Sequence, residues 1–286
     1  MANLYWNSVT GQWNAASFGG ALPADADTLY ADGRVKTSFI QSLDRTGDSA
    51  GVGLKLARFE TLEDFLGDLG SADSPMKFRC STAGGIGVFI HRGRGKLYFV
   101  SASGSGSAIT DQLILDTPNL SHEVVLPIQV DQYTILRGKA IWPESSVGIS
   151  TPRLFVGYRN NPISDSYVTI RYRFTGLRVM QWGGTLIFEG QTAVGSTGSH
   201  TLAGGYLQLN GIAPTYIQTG GHCDFGMETI PLALAPSIGT AYLLGGSMDA
   251  TKKALGQTIT TAYIAPSFNL IEDSKLTITN RIKLWE

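Results

Sequence analysis

The sequence predicts an all-β fold with little helix, a β-solenoid in which short strands wind into stacked coils. Three observations carry this expectation: period-two alternation of apolar and polar residues along most of the chain, abundant glycine, and a motif that repeats after glycine pairs. Glycine supplies 35 of 286 residues and charged residues only 16%, against about 7% Gly and about 25% charged in an average soluble domain. Hydrophobic residues at 43% provide ample material for a packed core and exclude intrinsic disorder.

Taken in chain order, residues 1–30 read as an N-terminal cap or arm and 31–286 as the solenoid body, with a late cap at 265–286. Met1 to Phe18 carries Trp6 and Trp13 among polar residues, without a basic leader or a continuous apolar run, so no signal peptide is expected there. Thr61 to Leu69 is the one helical signal: Thr61 and Asp64 stand in capping-box spacing, and Leu62, Phe65, Leu66 and Leu69 fall on one face of two turns. Strands are expected around Leu97 and Phe99, Leu113 and Leu115, Leu126 to Val130, Ile135 to Trp142, Tyr167 to Phe174 and Lys275 to Lys283. The uncharged stretch from Thr229 to Met248 is broken by Pro231, Pro236, Gly239, Gly245 and Gly246, unlike a spanning helix, so no membrane is expected as partner.

Six Gly-Gly pairs occur, at 19, 84, 183, 204, 220 and 245, where composition alone would give about four. The register after the last four is what matters. Leu186 and Phe188, Leu207 and Leu209, Cys223 and Phe225, and Met248 and Ala250 occupy the third and fifth places after the start of each pair, and all eight are apolar. The pairs are 21, 16 and 25 residues apart (183 to 204 to 220 to 245), the scale of one coil of two or three strands. Stacked coils would set Leu186, Leu207, Cys223 and Met248 in one interior ladder and Phe188, Leu209, Phe225 and Ala250 in the next, with about 4.8 Å between rungs. Glycine would supply the positive φ needed at each corner. Hairpins of a sandwich are the alternative; they favour Asn-Gly or Asp-Gly turns, and only Asp32-Gly33 and Asn210-Gly211 are present.

No catalytic, cofactor or metal constellation emerges. Gly47-Asp48-Ser49-Ala50-Gly51 fits the nucleophile-elbow pattern, but Val52 to Leu56 alternates like a strand where the elbow demands a helix. His91, His122, His200 and His222 lack metal-ligand spacing and read as surface or loop residues. Cys80 and Cys223 are 143 positions apart and read as small buried groups. Two carboxylate sets could serve glycan cleavage, Glu63, Asp64 and Asp68 or Glu189, Asp224 and Asp249, the latter along an outer face; as isolated acids at strand ends they read first as turn and solubility groups. A formal charge of −1 excludes nucleic acid as an expected partner. His91-Arg92-Gly93-Arg94-Gly95-Lys96 is too short for a polyanion track and instead suits an acidic protein surface. Trp6, Trp13, Arg92 and Arg94 are therefore the candidate interface residues.

Phe65-Leu66-Gly67-Asp68-Leu69-Gly70, Gly93-Arg94-Gly95-Lys96-Leu97-Tyr98-Phe99 and the later Gly-Gly coils together resemble tailed-bacteriophage virion proteins of the β-helix kind, particularly capsid decoration or cement proteins. The resemblance implies a right-handed parallel β-helix, trimeric, made in the host cytoplasm, seated on the outer surface of the head and binding the major capsid protein. A tail fibre or tailspike acting on host polysaccharide would share nearly every feature.

Overall fold

The computed structural model describes residues 2–6, 19–34, 55–73, 85–98, 109–126, 130–142, 153–160, 164–171, 176–189, 198–226, 235–251 and 256–285. The described residues form strands, turns and irregular segments, with no helix among them. The chain divides into two compact units, Met1–Ala140 and Ile141–Glu286. Trp13, Cys80 and the Gly47 to Gly51 motif lie outside the described residues.

Unit 1 contains β1 (Asn3–Tyr5), β2 (Thr28–Ala31), β3 (Lys55–Thr61), β4 (Gly85–His91), β5 (Ile109–Asp116) and β6 (Glu123–Val125), and β7 (Gln132–Trp142) begins in it. β1 through β5 pair in succession, always parallel, and β5 pairs with β7. In-register positions fill the core: Leu29, Phe59, Phe89, Leu113 and Tyr133 stack as one column, and each is fully buried. The opening strand is a rung of this stack. Leu4 pairs with Leu29, and Trp6 donates its backbone N–H to the Tyr30 carbonyl at 2.8 Å.

The helix expected over Thr61 to Leu69 does not form. Thr61 ends β3, and the chain then turns so that Phe65 accepts the Arg94 N–H at 2.9 Å while Leu69 donates to the Lys96 carbonyl at 2.8 Å. Phe65 and Leu69 are buried and Leu66 is exposed. Pairing with the following rung, rather than a helical face, sets which side chains point inward.

Unit 2 alternates between two sheets. The first holds β8 (Arg153–Val156), β10 (Arg178–Gln181), β12 (Ser199–Leu202), β14 (Ile212–Gln218), β16 (Ser237–Leu243), β18 (Gln257–Ile264) and β20 (Leu276–Lys283). The second holds β9 (Ser166–Ile170), β11 (Thr185–Phe188), β13 (Tyr206–Leu209), β15 (His222–Phe225), β17 (Ser247–Asp249) and β19 (Asn269–Ile271). Each strand pairs with the one two elements later, and every pairing is parallel. A hairpin-built sandwich requires antiparallel neighbours; this connectivity is that of an all-β parallel stack, consistent with a β-solenoid.

In the second sheet Leu186, Leu207, Cys223 and Met248 are consecutive Cα partners, flanked by Val168 and Leu270. Leu209 pairs with Phe225, and Phe188, Leu209, Phe225 and Ala250 are all buried. The second glycine of each late pair takes positive φ: Gly184 at 69°, Gly205 at 82°, Gly221 at 71° and Gly246 at 91°. Each of these glycines then accepts a backbone bond from the next rung, from Tyr206, His222, Ser247 and Asn269 respectively, at 2.8 to 3.1 Å. Cys223 is a free, buried thiol, and burial pushes its pKa up to about 12.

The segment expected as a late cap, 265–286, holds β19 and β20. Ile278 pairs with Ile259 as part of the last described rung of the first sheet, and Trp285 stands 88% exposed. At this rung the inward columns turn charged. Arg281 follows Tyr216, Ala241 and Ala262, and Lys283 follows Gln218, Leu243 and Ile264. Arg281 pairs with Glu272, which follows β19 of the other sheet.

Candidate interaction surface

Two outward columns run along the first sheet of unit 2. Phe155, Met180, Thr201, Ile217, Tyr242, Tyr263 and Ile282 are successive Cα partners, each at least partly accessible and none charged. Beside them Ser199, Thr215, Thr240, Thr261 and Asn280 form a hydroxyl and amide column. Tyr242 and Tyr263 stack at 4.9 Å with only 6° between their planes. Rings stacked along the ladder turn their edges to solvent, so the column offers an apolar ridge rather than flat ring faces. Tyr242 and Ile282 of this column, and Leu244 just after β16, expose 37 to 40% of their surface; exposed apolar side chains gathered on one face are the kind of feature that marks binding surfaces.

The expected interface residues take different places. Trp6 is 1% exposed, its ring 6.2 Å from that of Phe59, so it anchors the core instead of facing a partner. Arg92 is drawn into an alternating ion-pair chain. It pairs with Glu60, which also pairs with Arg58, and lies 3.5 Å from Asp116; Arg137 joins Asp116 at 2.6 Å and Glu63 at 3.6 Å. Glu60 is nearly fully buried, so its charge needs these partners. Of the basic pair, Arg94 alone remains exposed.

The carboxylates expected along an outer face are also committed. Glu189 binds Arg171 at 2.6 Å. Asp249 accepts from the Thr251 backbone N–H at 2.8 Å and its hydroxyl at 2.7 Å. Asp224 lies on the outer face, between the inward Cys223 and Phe225, yet is buried, its Oδ2 accepting from the Tyr206 hydroxyl at 2.7 Å and its Oδ1 lying 2.9 Å from His222 Nε2. An ionised carboxylate only accepts, which puts the imidazole proton on Nε2 and leaves Nδ1 to accept from Ser247 Oγ at 2.7 Å. Of the first set, Asp68 accepts the Lys96 backbone N–H at 2.6 Å and Glu63 joins the ion-pair chain.

Two histidines expected at the surface are interior. His91 accepts from Thr61 Oγ1 at 2.8 Å and donates to the Gly95 carbonyl at 3.2 Å; burial holds its pKa down at about 4. His200 lies between Phe188 and Tyr216 at ring distances of 5.7 and 5.8 Å. Neither of its ring nitrogens has a hydrogen-bond partner, and burial lowers its pKa to about 3. His122 binds the Leu97 carbonyl at 2.8 Å and is partly buried.

The sequence holds a signal for these inward positions. Counting back from the late glycine pairs, Val179 and Gln181, His200 and Leu202, Tyr216 and Gln218, and Ala241 and Leu243 stand four and two residues before Gly183, Gly204, Gly220 and Gly245, and they are the inward columns of the first sheet. Buried Gln181 binds the Gly184 and Tyr206 carbonyls at 3.2 and 2.8 Å. Gln218 binds those of Gly221 and Ser247 at 3.1 and 2.9 Å. The two amides thus brace the glycine corners from inside.

Among the described residues no group of three or more His, Cys, Asp or Glu side chains could hold a metal ion, and no helix is long and apolar enough to cross a membrane. Compared with known proteins, the chain matches no family model, no curated protein and no solved structure.

Proposed function

We propose that the chain is a structural virion protein, a right-handed, trimeric parallel β-helix that decorates the outside of a tailed-phage head and binds the major capsid protein. The observation that supports this reading is the uncharged ridge from Phe155 to Ile282, in register on consecutive rungs of a parallel stack. An uncharged, mostly apolar column on a stack whose interior is packed in columns presents an edge to a neighbouring protein, and aromatic side chains such as those of Tyr242 and Tyr263 are among the types that carry most of the energy at the centre of protein interfaces. Its work would be stiffness: binding only the mature lattice, it would stabilise that lattice by its own binding free energy.

Heads lacking the protein should release packaged DNA at a lower temperature than heads to which the purified chain has been returned, and equal release temperatures would overturn the reading. Light scattering should give three times the chain mass of 30.6 kDa. The alternative reading, a tailspike acting on host polysaccharide, expects new sugar reducing ends when the protein meets a capsular glycan.

A further inference from the structure

The half-exposed outer column of the second sheet in unit 2 gathers groups that a scaffold does not require. Tyr206, His222, Ser247 and Asn269 follow one another as Cα partners on β13, β15, β17 and β19. Ser247 Oγ lies 2.7 Å from His222 Nδ1, and His222 Nε2 lies 2.9 Å from Asp224 Oδ1. The His222 side chain is 37% exposed while that of Asp224 is 4% exposed, so the basic group faces outward and the group that orients it is sheltered. Tyr206 fixes the second carboxylate oxygen at 2.7 Å.

We propose that Ser247, His222 and Asp224 form a hydrolytic site for small, unhindered carboxylic esters. It goes beyond the scaffold reading and does not depend on it. Nucleophile, base and orienting carboxylate lie in hydrogen-bonding sequence, the relationship by which such triads are recognised on unrelated folds. The imidazole is used with its nitrogens exchanged relative to the serine proteases, Nδ1 toward the serine and Nε2 toward the carboxylate; either nitrogen can take a proton when the other is held by an acceptor.

In the first half-reaction Ser247 Oγ forms a bond to the ester carbonyl carbon as its proton passes to His222 Nδ1. The carbon–oxygen bond to the alcohol then breaks, and the alcohol leaves with the proton from Nδ1. Water next attacks the acyl carbon, giving a proton to Nδ1, and Ser247 leaves with that proton as the carboxylic acid departs. Ester and water are consumed, and acid and alcohol are formed. The backbone N–H of Ser247 is spent on the Gly221 carbonyl at 3.0 Å, so it cannot stabilise the oxyanion. Asn269, exposed and in register one rung beyond Ser247, stands about 4.8 Å along the column on the side opposite His222; its amide is the donor assigned to that oxygen, a role for which a single side-chain amide contributes about 10² to 10³ in rate.

The test uses the full chain with a fluorophosphonate probe and with p-nitrophenyl acetate. The expected result is one phosphonyl adduct per chain, mapped to Ser247 by peptide mass spectrometry, and ester turnover that falls at least about 100-fold in Ser247→Ala and His222→Gln and about 100-fold in Asn269→Ala. Circular dichroism matching the wild-type chain establishes that each variant is folded. As a positioning residue, Asp224 is tested by Asp224→Asn: kcat should fall steeply with KM little changed, because the amide favours the imidazole proton on Nδ1, where it blocks the base, whereas a merely structural loosening of the site would raise KM as well. No adduct, an adduct on another residue, or turnover that persists in folded Ser247→Ala would each overturn the proposal.

Discussion

A β-carbon on Gly221 would stand 2.6 Å from the carbonyl oxygen of Gly205, one rung below it. The corner glycines therefore answer two demands at once. Each holds a positive φ, and each lies against backbone of the preceding rung that leaves no room for a side chain. Gly221→Ala should destabilise unit 2 by about 2–4 kcal/mol, of which about 1 kcal/mol comes from the backbone conformation and the rest from displaced backbone. Gly19 also has a positive φ, of 79°, but nothing lies within 4 Å of its missing β-carbon, so Gly19→Ala should cost only about 1 kcal/mol. Denaturant unfolding of the two variants checks the difference.

The buried amide of Gln218 serves two carbonyls and accepts from the Tyr216 hydroxyl at 2.9 Å. Gln218→Leu keeps the bulk but strips buried polar groups of a partner, at a cost of about 1–3 kcal/mol for each one left unsatisfied. Equilibrium unfolding should show the loss, and Gln181→Leu should reproduce it at its own corner.

His91 and His200 give the fold a definite response to acid. Their folded pKa values, about 4 and about 3, lie below the ordinary 6.5, so between these limits the unfolded chain binds more protons and stability rises with pH. The contribution is full above pH 6.5 and is lost as pH falls toward 4, at about 1.4 kcal/mol per pH unit for each histidine. His200→Leu should flatten this slope by one proton, leaving a protein more resistant than the wild type at pH 5. Unfolding free energies measured from pH 4.5 to 8 decide it, and an unchanged slope would refute the assignment.

Columns are legible in a sequence only where one residue type is demanded at a fixed place. The late Gly-Gly corners met that condition, since positive φ and close backbone admit little else, and the alternation after them revealed Leu186, Leu207, Cys223 and Met248. The inward columns before the corners kept the spacing from the glycine pairs but not the residue type. There Val179, His200, Tyr216 and Ala241 share a position but no common chemistry, so His200 looked like a lone polar residue until its register was known. Thr61 to Leu69 misled for a related reason: turns that pair with the next rung bring Phe65 and Leu69 inward at a spacing that happens to match a helix. Trp6 gave no sign of its burial because an aromatic anchor and an aromatic interface residue look alike until the first rung is placed. The polar chain of Tyr206, His222, Asp224 and Ser247 is drawn from three strands 16 and 25 residues apart in step with the glycine pairs, and no local motif announces it.

The last described rung carries Arg281 and Lys283 where earlier rungs place Tyr216, Ala241 and Ala262 or Gln218, Leu243 and Ile264. Charge at inward positions of an edge strand opposes pairing with a further strand. Arg281→Ala combined with Lys283→Ile should turn β20 into an adhesive edge, and light scattering should record association that rises with concentration and is absent from the wild-type chain under the same conditions.

The central claim, that equivalent residues of unit 2 pile up along one axis, is tested most directly by a distance between spin labels at Phe155 and Ile282. These positions are joined by six in-register steps, which at about 4.8 Å each place their backbones about 29 Å apart. Pulsed electron resonance on the doubly labelled chain should return a single population centred near that separation. A population centred below about 20 Å, the span of roughly four steps, would contradict the stack.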